Sequence, residues 1–212
     1  MVMLGTYTPG SPEWHAERRW RIGGSEIGQI MGWSRWGTRA DLLAAKLAEP
    51  VDKPPTEAQL RGTLLEPAVL AWGAARYGYQ YADGSDATYV HRAFPWCLFN
   101  PDSIADSDSG ERVLIECKTA ADRSEDNGWG RAGTDRIPAA YKAQVAWGMA
   151  VLDLPEAHVL VLAGAHNGRA SLSFSRYIIR RDRAYENRLL TAGLAFHREL
   201  TAAREAAERT SS

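Results

Sequence analysis

Cysteine, histidine and lysine are all scarce in this chain, and each scarcity excludes something. The two cysteines among 212 residues, Cys97 and Cys117, lie in apolar, strand-like runs. They read as reduced core residues, and they supply neither a disulfide framework nor a thiolate metal site. His15, His91, His158, His166 and His197 show no spacing of a transition-metal site, so each reads as a surface or core residue. The net charge is −1, so no strongly basic surface announces a nucleic-acid binder, and any affinity for a polyanion must come from a local patch. No apolar run reaches the length of a membrane span. The first residues lack a basic stretch followed by an apolar one, and an intracellular protein is expected. Internal repeats and low-complexity segments are absent as well.

What is present is the composition of a soluble globular protein, with 45% hydrophobic and 24% charged residues. A chain of 212 residues is long enough for one domain with a real core. The basic residues are uneven in kind, 21 arginines against 4 lysines. Arginine suits bidentate phosphate contact, although a GC-rich genome accounts for the bias equally well. The scarcity of lysine draws attention to Lys118 and Lys142.

Local signals place the elements. Ser11 and Pro12 cap and open a helix carrying Trp14, His15, Arg18, Arg19 and Arg21. Gly23-Gly24-Ser25 leads into a second helix, about Glu26–Met31, that stops at Gly32. A helix start of this kind offers free N–H groups to an anion; it also reads as a plain joint between helices with Ser25 as N-cap. Thr38 with Asp41, and Thr56 with Gln59, form capping boxes that open two further helices, joined by the Pro-rich connector 50–56. The second of these runs to Tyr77 and stops at Gly78, with Pro67 placing Glu66 at a kink or restart. Ala87–His91, Trp96–Phe99 and Glu111–Lys118 read as the strands of a meander. A polar, Gly-containing loop, 120–136, follows beside the last of them. Pro138–Leu152 is a helix with a core stripe of Tyr141, Val145, Met149 and Leu152, leaving Lys142 and Gln144 off it. Strands at Val159–Ala163 and Leu172–Ile179 precede a final helix from about Asp182 to Arg209, whose end, about 205–212, is apolar-poor and frays. Most tryptophans serve packing; Trp33 and Trp36, beside Arg35, could alternatively stack on a frayed base.

The stretch Asn100–Thr119 carries the chemistry. Asp102 stands in a turn, a short polar linker follows, and Val113-Leu114-Ile115 runs into Glu116-Cys117-Lys118. Alternation puts Leu114, Glu116 and Lys118 on one face of the strand and Val113, Ile115 and Cys117 on the other. A carboxylate and an ammonium beside a buried run suit metal-assisted phosphodiester hydrolysis: carboxylates hold a hard cation, and the lysine holds a water and offsets phosphate charge. The same pattern also fits a turn aspartate beside an edge strand with solvated charges.

Asp102 with Glu116-Cys117-Lys118 resembles the signature of the PD-(D/E)XK nucleases. From Trp14 to Leu152 the chain further resembles the lambda exonuclease/YqaJ family of phage recombination exonucleases. The resemblance rests on ordered blocks: Trp14-His15 with Arg18, Gly24-Ser25-Glu26-Ile27-Gly28, Arg61-Gly62-Thr63-Leu64-Leu65-Glu66-Pro67, Asn100-Pro101-Asp102, Ile115-Glu116-Cys117-Lys118, and Pro138-Tyr141-Gln144. It implies an α/β fold with a restriction-endonuclease-like core, a mixed central β-sheet flanked by helices, and a single nuclease domain over 1–212. It implies Asp102 and Glu116 as ligands of two Mg²⁺ ions (Mn²⁺ being the usual substitute), with the Cys117 carbonyl and Glu66 completing the set. Lys118 would position the attacking water and Gln144 would orient it. Arg18 and Ser25 would receive a 5′-terminal phosphate. The implied activity is 5′-to-3′ degradation of one strand of linear duplex DNA, leaving 3′ overhangs for homologous recombination. The implied partners are a homo-oligomeric ring, a trimer in the family, and a single-strand annealing protein, in the cytoplasm of a bacterial or phage-infected cell. The alternatives are a structure- or sequence-specific endonuclease of the same fold, a catalytically inactive DNA-binding module, and an α/β domain whose charged strand is only structural.

Overall fold

A computed structural model describes residues 1–49, 54–83, 86–107 and 109–210 of the chain. Most of the connector 50–56 therefore lies outside the described residues. The elements run β1 (Val2–Thr6), α1 (Pro12–Arg19), β2 (Ile22–Gly23), α2 (Gly24–Ile30), α3 (Arg39–Leu47), α4 (Glu57–Tyr77), β3 (Gln80–Asp83), β4 (Ala87–Val90), β5 (Cys97–Phe99), β6 (Ser103–Asp106), β7 (Arg112–Ala120), α5 (Ala139–Leu152), β8 (Glu156–His166), β9 (Arg169–Arg180) and α6 (Arg183–Thr210). Local chemistry explains the helix ends. Ser11 accepts from the Trp14 N–H at 3.2 Å. Thr38 with Asp41, and Thr56 with Gln59, close reciprocal capping boxes. Gly78, at φ 69°, ends α4 in the left-handed conformation that glycine adopts without a Cβ penalty. Helix α4 runs unbroken through Pro67, so Glu66 lies within a continuous helix and not at a restart. Ser25 is not an N-cap: Gly23 is, and Ser25 sits in the first turn of α2.

The strands form two mixed sheets among the described residues, not one meander. The larger has the order β3-β6-β7-β8-β9, with β7 and β8 parallel and the other pairs antiparallel. Helix α5 makes the crossover between the parallel pair, as that pairing requires. The smaller has the order β1-β4-β5-β2, so Ala87–Val90 and Cys97–Phe99 belong to a different sheet from Glu116. The antiparallel partner of β7 is β6, formed from Ser103–Asp106, which had read as a polar linker.

Helix α5 ties the sheets together. Val145 through Leu152 are all buried, so the expected stripe is an apolar surface on every side. A Cβ added at Gly148 would lie 2.5 Å from Phe99 Cζ on β5 and 2.8 Å from Leu114 Cδ2 on β7. The bare glycine lets the helix backbone sit against both sheets. Trp147 donates from Nε1 to the Leu98 carbonyl at 3.2 Å, which satisfies its polar atom inside the core. On the other face of the larger sheet, Val69 of α4 packs with Val113, Ile115, Leu160 and Leu162. The alternation along β7 is thus real, with Leu114 in one core and Val113 and Ile115 in the other.

The 120–136 loop is fastened along β9. The Gly133 N–H donates to the Arg176 carbonyl at 2.7 Å, and the Ile178 N–H to the Thr134 carbonyl at 3.2 Å. Tyr177 donates to the Gly130 carbonyl at 2.8 Å, and Trp129 is buried. These bonds cover an edge strand that would otherwise expose unpaired backbone groups. Helix α6 runs to Thr210.

Candidate active site

Strand β7 delivers Glu116 and Lys118 to the face it shares with α5, as alternation requires. Glu116 is 1% exposed. Its Oε1 accepts from both Lys118 Nζ and Gln144 Nε2. Its Oε2 is buried and has no hydrogen-bond partner among the described residues. Gln144 comes from α5, and one turn earlier Tyr141 places its ring 5.3 Å from Lys118 Nζ. Asp102, in the turn that opens β6, accepts from the Cys117 N–H at 2.6 Å. That bond orients Asp102 beside the β7 residues, and the β6–β7 register, with Ser103 opposite Ile115, holds it there.

Electrostatics mark the same cluster. Burial, then the neighbouring Asp102, push Glu66 up to about 7, while Lys118 pulls it back. Burial also raises Glu116, reinforced by Asp102 and opposed by Lys118. Asp102 is raised by burial against the pull of Lys118 and the Cys117 N–H. Burial works to depress the Lys118 ammonium, but Glu116 and Asp102 together outweigh it and hold it above its ordinary value. Crowded, half-desolvated carboxylates around one lysine form a site of concentrated negative charge that favours protons or cations. Among the described residues, no group of three or more His, Cys, Asp or Glu is arranged to hold a metal ion. A hard cation that keeps its waters and borrows substrate oxygens needs only one or two carboxylates, and the unpartnered Glu116 Oε2 is such a donor.

A second cluster gathers around Arg18 at the end of α1. Its guanidinium donates to Asn100 Oδ1 at 3.1 Å and to Ser25 Oγ at 3.3 Å, and lies 4.5 Å from the Trp14 ring centroid. Glu26 stands further off at 3.9 Å. A Cβ on Gly23 would collide with the Arg18 guanidinium, so glycine is what lets that group lie across the start of α2. Asn100 is itself held, donating from Nδ2 to Thr88 Oγ1 at 2.6 Å. It precedes Asp102 by two residues, so one short turn joins the two clusters.

The residues expected to act as ligands, catalytic groups or phosphate contacts fall into two adjoining groups, Glu66, Asp102, Glu116, Cys117, Lys118 and Gln144 in one and Arg18 and Ser25 in the other; Lys142 is outside both, paired with Asp135 at 2.8 Å. Sequence reasoning assigned no functional role to Trp14, Glu26, Lys46 or Asn100, and read Tyr141 only as part of a core stripe. Trp14, Glu26, Asn100 and Tyr141 stood in quoted blocks, a signal that could have found them; Lys46 had none. Trp33 stacks on Tyr185 with ring centroids 6.2 Å apart. Trp36 departs from the packing expectation, being 60% exposed with its ring 6.0 Å from Tyr141. Cys97 is a free, fully buried core residue as expected. His158 is buried, bonded to Tyr79 through Nδ1 and to Glu156 through Nε2.

Two mixed sheets packed with helices, with an acidic and lysine-bearing strand at the centre, define the restriction-endonuclease-like class of α/β proteins. The chain belongs to the family described as the YqaJ-like viral recombinase domain, whose model matches residues 13–164. A curated relative, the uncharacterized protein YqaJ of Bacillus subtilis (strain 168), is 31% identical over 157 residues, 73% of this chain and 47% of that protein. The chain thus spans about half the length of the curated relative it matches. Among solved structures, the alkaline exonuclease LHK-Exo from Laribacter hongkongensis superposes with a TM-score of 0.70 at 19% identity, covering 95% of this chain and 98% of that one. The same measures hold for its complex with dAMP. A phage-related exonuclease from Haemophilus somnus 129PT gives a TM-score of 0.57 at 11% identity, with 86% and 96% covered. At these identities the likeness is one of fold. No helix among the described residues is long and apolar enough to cross a membrane.

Proposed function

We propose that this protein is a metal-dependent deoxyribonuclease that degrades one strand of linear duplex DNA from its 5′-phosphorylated end, leaving 3′ overhangs for phage-type recombination. The observation that carries the reading is the junction at Asn100-Pro101-Asp102. It sets an arginine whose guanidinium donates to the neutral acceptors Asn100 and Ser25, with Glu26 further off, beside a buried carboxylate–lysine cluster. A site that grips a terminal phosphate next to a hydrolytic centre acts on ends.

In this reading Asp102 and Glu116 would hold the divalent cations, Mg²⁺ by preference with Mn²⁺ as substitute, helped by Glu66 and the Cys117 carbonyl. Such ions would lower the pKa of the attacking water and offset charge on the leaving 3′-oxygen. Lys118 holds the water and offsets phosphate charge, and Gln144 keeps Glu116 oriented and fixes the direction of attack. Arg18 and Ser25 receive the 5′-phosphate, so the strand enters in one polarity. Through its family the proposal extends to a ring of three copies and to a single-strand annealing partner, which sedimentation and co-purification would test.

The test is digestion of three DNAs with Mg²⁺: linear duplex with 5′-phosphate ends, the same duplex with 5′-hydroxyl ends, and a closed circle. Selective loss of the phosphorylated duplex, leaving single strands, is the expected result. Asp102→Ala and Lys118→Ala are expected to abolish cleavage while DNA binding persists. Cutting of the circle would move the protein to the endonuclease reading, and normal turnover by either variant would sink the active-site assignment.

A further inference from the structure

The pocket around Arg18 contains a carboxylate, which is a liability for an anion site. Glu26 lies on the first turn of α2, 3.9 Å from the Arg18 guanidinium. Carboxylates are the preferred partners of arginine and form bidentate pairs with it. Left free, Glu26 would swing onto Arg18, neutralise it and compete with an incoming phosphate. The structure shows both carboxylate oxygens engaged elsewhere. Oε2 accepts from the Gly23 N–H at 2.8 Å, and Oε1 faces the ammonium of Lys46 at 3.0 Å.

Lys46 comes from α3 and is 6% exposed, rare for a lysine. Its ammonium has three donors and all are used. Besides Glu26 they reach the carbonyls of Arg18 at 2.9 Å and Arg21 at 2.7 Å. Those carbonyls lie at and just beyond the C-terminal end of α1, the negative pole of that helix, where a cation is favoured. Burial depresses the Lys46 ammonium, Glu26 acts against that, and Arg18 adds to it. A buried lysine needs a compensating reason to be there.

We infer that Lys46 is a positioning residue that cancels Glu26 and the α1 carbonyls, leaving the charge of Arg18 free for a terminal phosphate monoester. This rests on the end-binding reading above and deepens it. The charge count decides the effect. Arg18, Lys46 and Glu26 together carry one net positive charge. Removing Lys46 leaves none, and removing the Glu26 charge as well restores one. A lysine that served only to plug the space between α1 and α3 would not be rescued by a change at Glu26.

The experiment compares wild type, Lys46→Met, Lys46→Arg, Glu26→Gln and the double variant Lys46→Met/Glu26→Gln, all in the full chain and checked for folding by circular dichroism. The readout is kcat/KM on linear duplex with a 5′-phosphate divided by that with a 5′-hydroxyl. Lys46→Met is expected to lower the ratio about tenfold, mostly through KM for the phosphorylated end, as loss of one charge-assisted contact does. Lys46→Arg and the double variant are expected to return it to within about threefold of wild type. Glu26→Gln alone, which keeps the Lys46 packing, is expected to raise the ratio, and it carries the test if Lys46→Met does not fold. An unchanged ratio in a folded Lys46→Met, no rescue in the double variant, or a Glu26→Gln ratio at or below wild type would each overturn the inference. A wild type that does not discriminate the two ends would overturn the end-binding reading itself, and this inference with it.

Discussion

Replacing Lys118 by methionine tests the electrostatics of the site without reference to turnover. The ammonium donates to Glu116 Oε1, and the glutamate is 1% exposed. Breaking a buried pair by removing one partner typically costs about 3–5 kcal/mol if the other stays charged. Glu116 has an escape, which is to take up a proton. In the wild type, burial, with Asp102, already pushes Glu116 from 4.5 up to about 8, so below about pH 7 it holds its proton with or without Lys118 and removing the ammonium costs almost nothing through this group. One unit above that value, at pH 9, the wild type can ionise Glu116 against Lys118 and the variant cannot, a difference of up to about 1.4 kcal/mol at roughly 1.36 kcal/mol per unit. Asp102 keeps its Cys117 N–H in either case. Urea unfolding of wild type and Lys118→Met at pH 6 and pH 9, in chelating buffer, measures the difference. The expected outcome is a loss about 1 kcal/mol larger at pH 9 than at pH 6. Equal losses at both pH values would refute the reasoning, because a buried carboxylate that titrates to relieve the missing cation cannot give a pH-independent effect.

Three further outcomes follow from the same geometry. Glu66 is raised from 4.5 to about 7, so the folded state holds its proton more tightly than the unfolded state does. That contribution is full below the unfolded value and lost as pH rises through about 7. In chelating buffer the melting temperature is therefore expected to fall between pH 5 and pH 8, with divalent-ion affinity rising over the same window as protons are displaced; a flat profile would tell against a crowded carboxylate site. Gly148→Ala puts a methyl group 2.5 Å from Phe99 Cζ and 2.8 Å from Leu114 Cδ2. It is expected to destabilise by about 1–3 kcal/mol in urea unfolding, and a neutral result would mean that α5 does not sit against both sheets. Arg18→Ala is expected to erase most of the preference for 5′-phosphorylated ends while duplex binding measured by gel shift persists; parallel loss of both would place Arg18 in general DNA contact.

Much of this molecule was legible before its fold was seen. Thr38 with Asp41 and Thr56 with Gln59 announced two helix starts because a capping box closes within three residues. The alternation of Val113 through Lys118 placed Glu116 and Lys118 together because a strand has a fixed period. The ordered blocks from Trp14 to Gln144 marked the family. Strand pairing was less legible. Ser103–Asp106 read as a linker because its β character comes from its partner β7 and not from its own residues. One meander was expected where two sheets exist, because the order of strands depends on where the chain returns. The unbroken α4 shows tertiary context overriding a local proline signal.

The sequence by itself determined the helix starts marked by capping boxes, the two faces of β7 and the residue types of the site, since these rest on hydrogen bonds and periodicities spanning a few residues. Only the tertiary structure decided that Arg18 meets Asn100 across 82 positions, that Gln144 reaches Glu116 across 28, and that Lys46 occupies the carboxylate of Glu26. Such contacts are set by how α1, α3 and α5 pack on the sheets. Packing maximises buried apolar area over the whole chain at once, and no short stretch of residues encodes it.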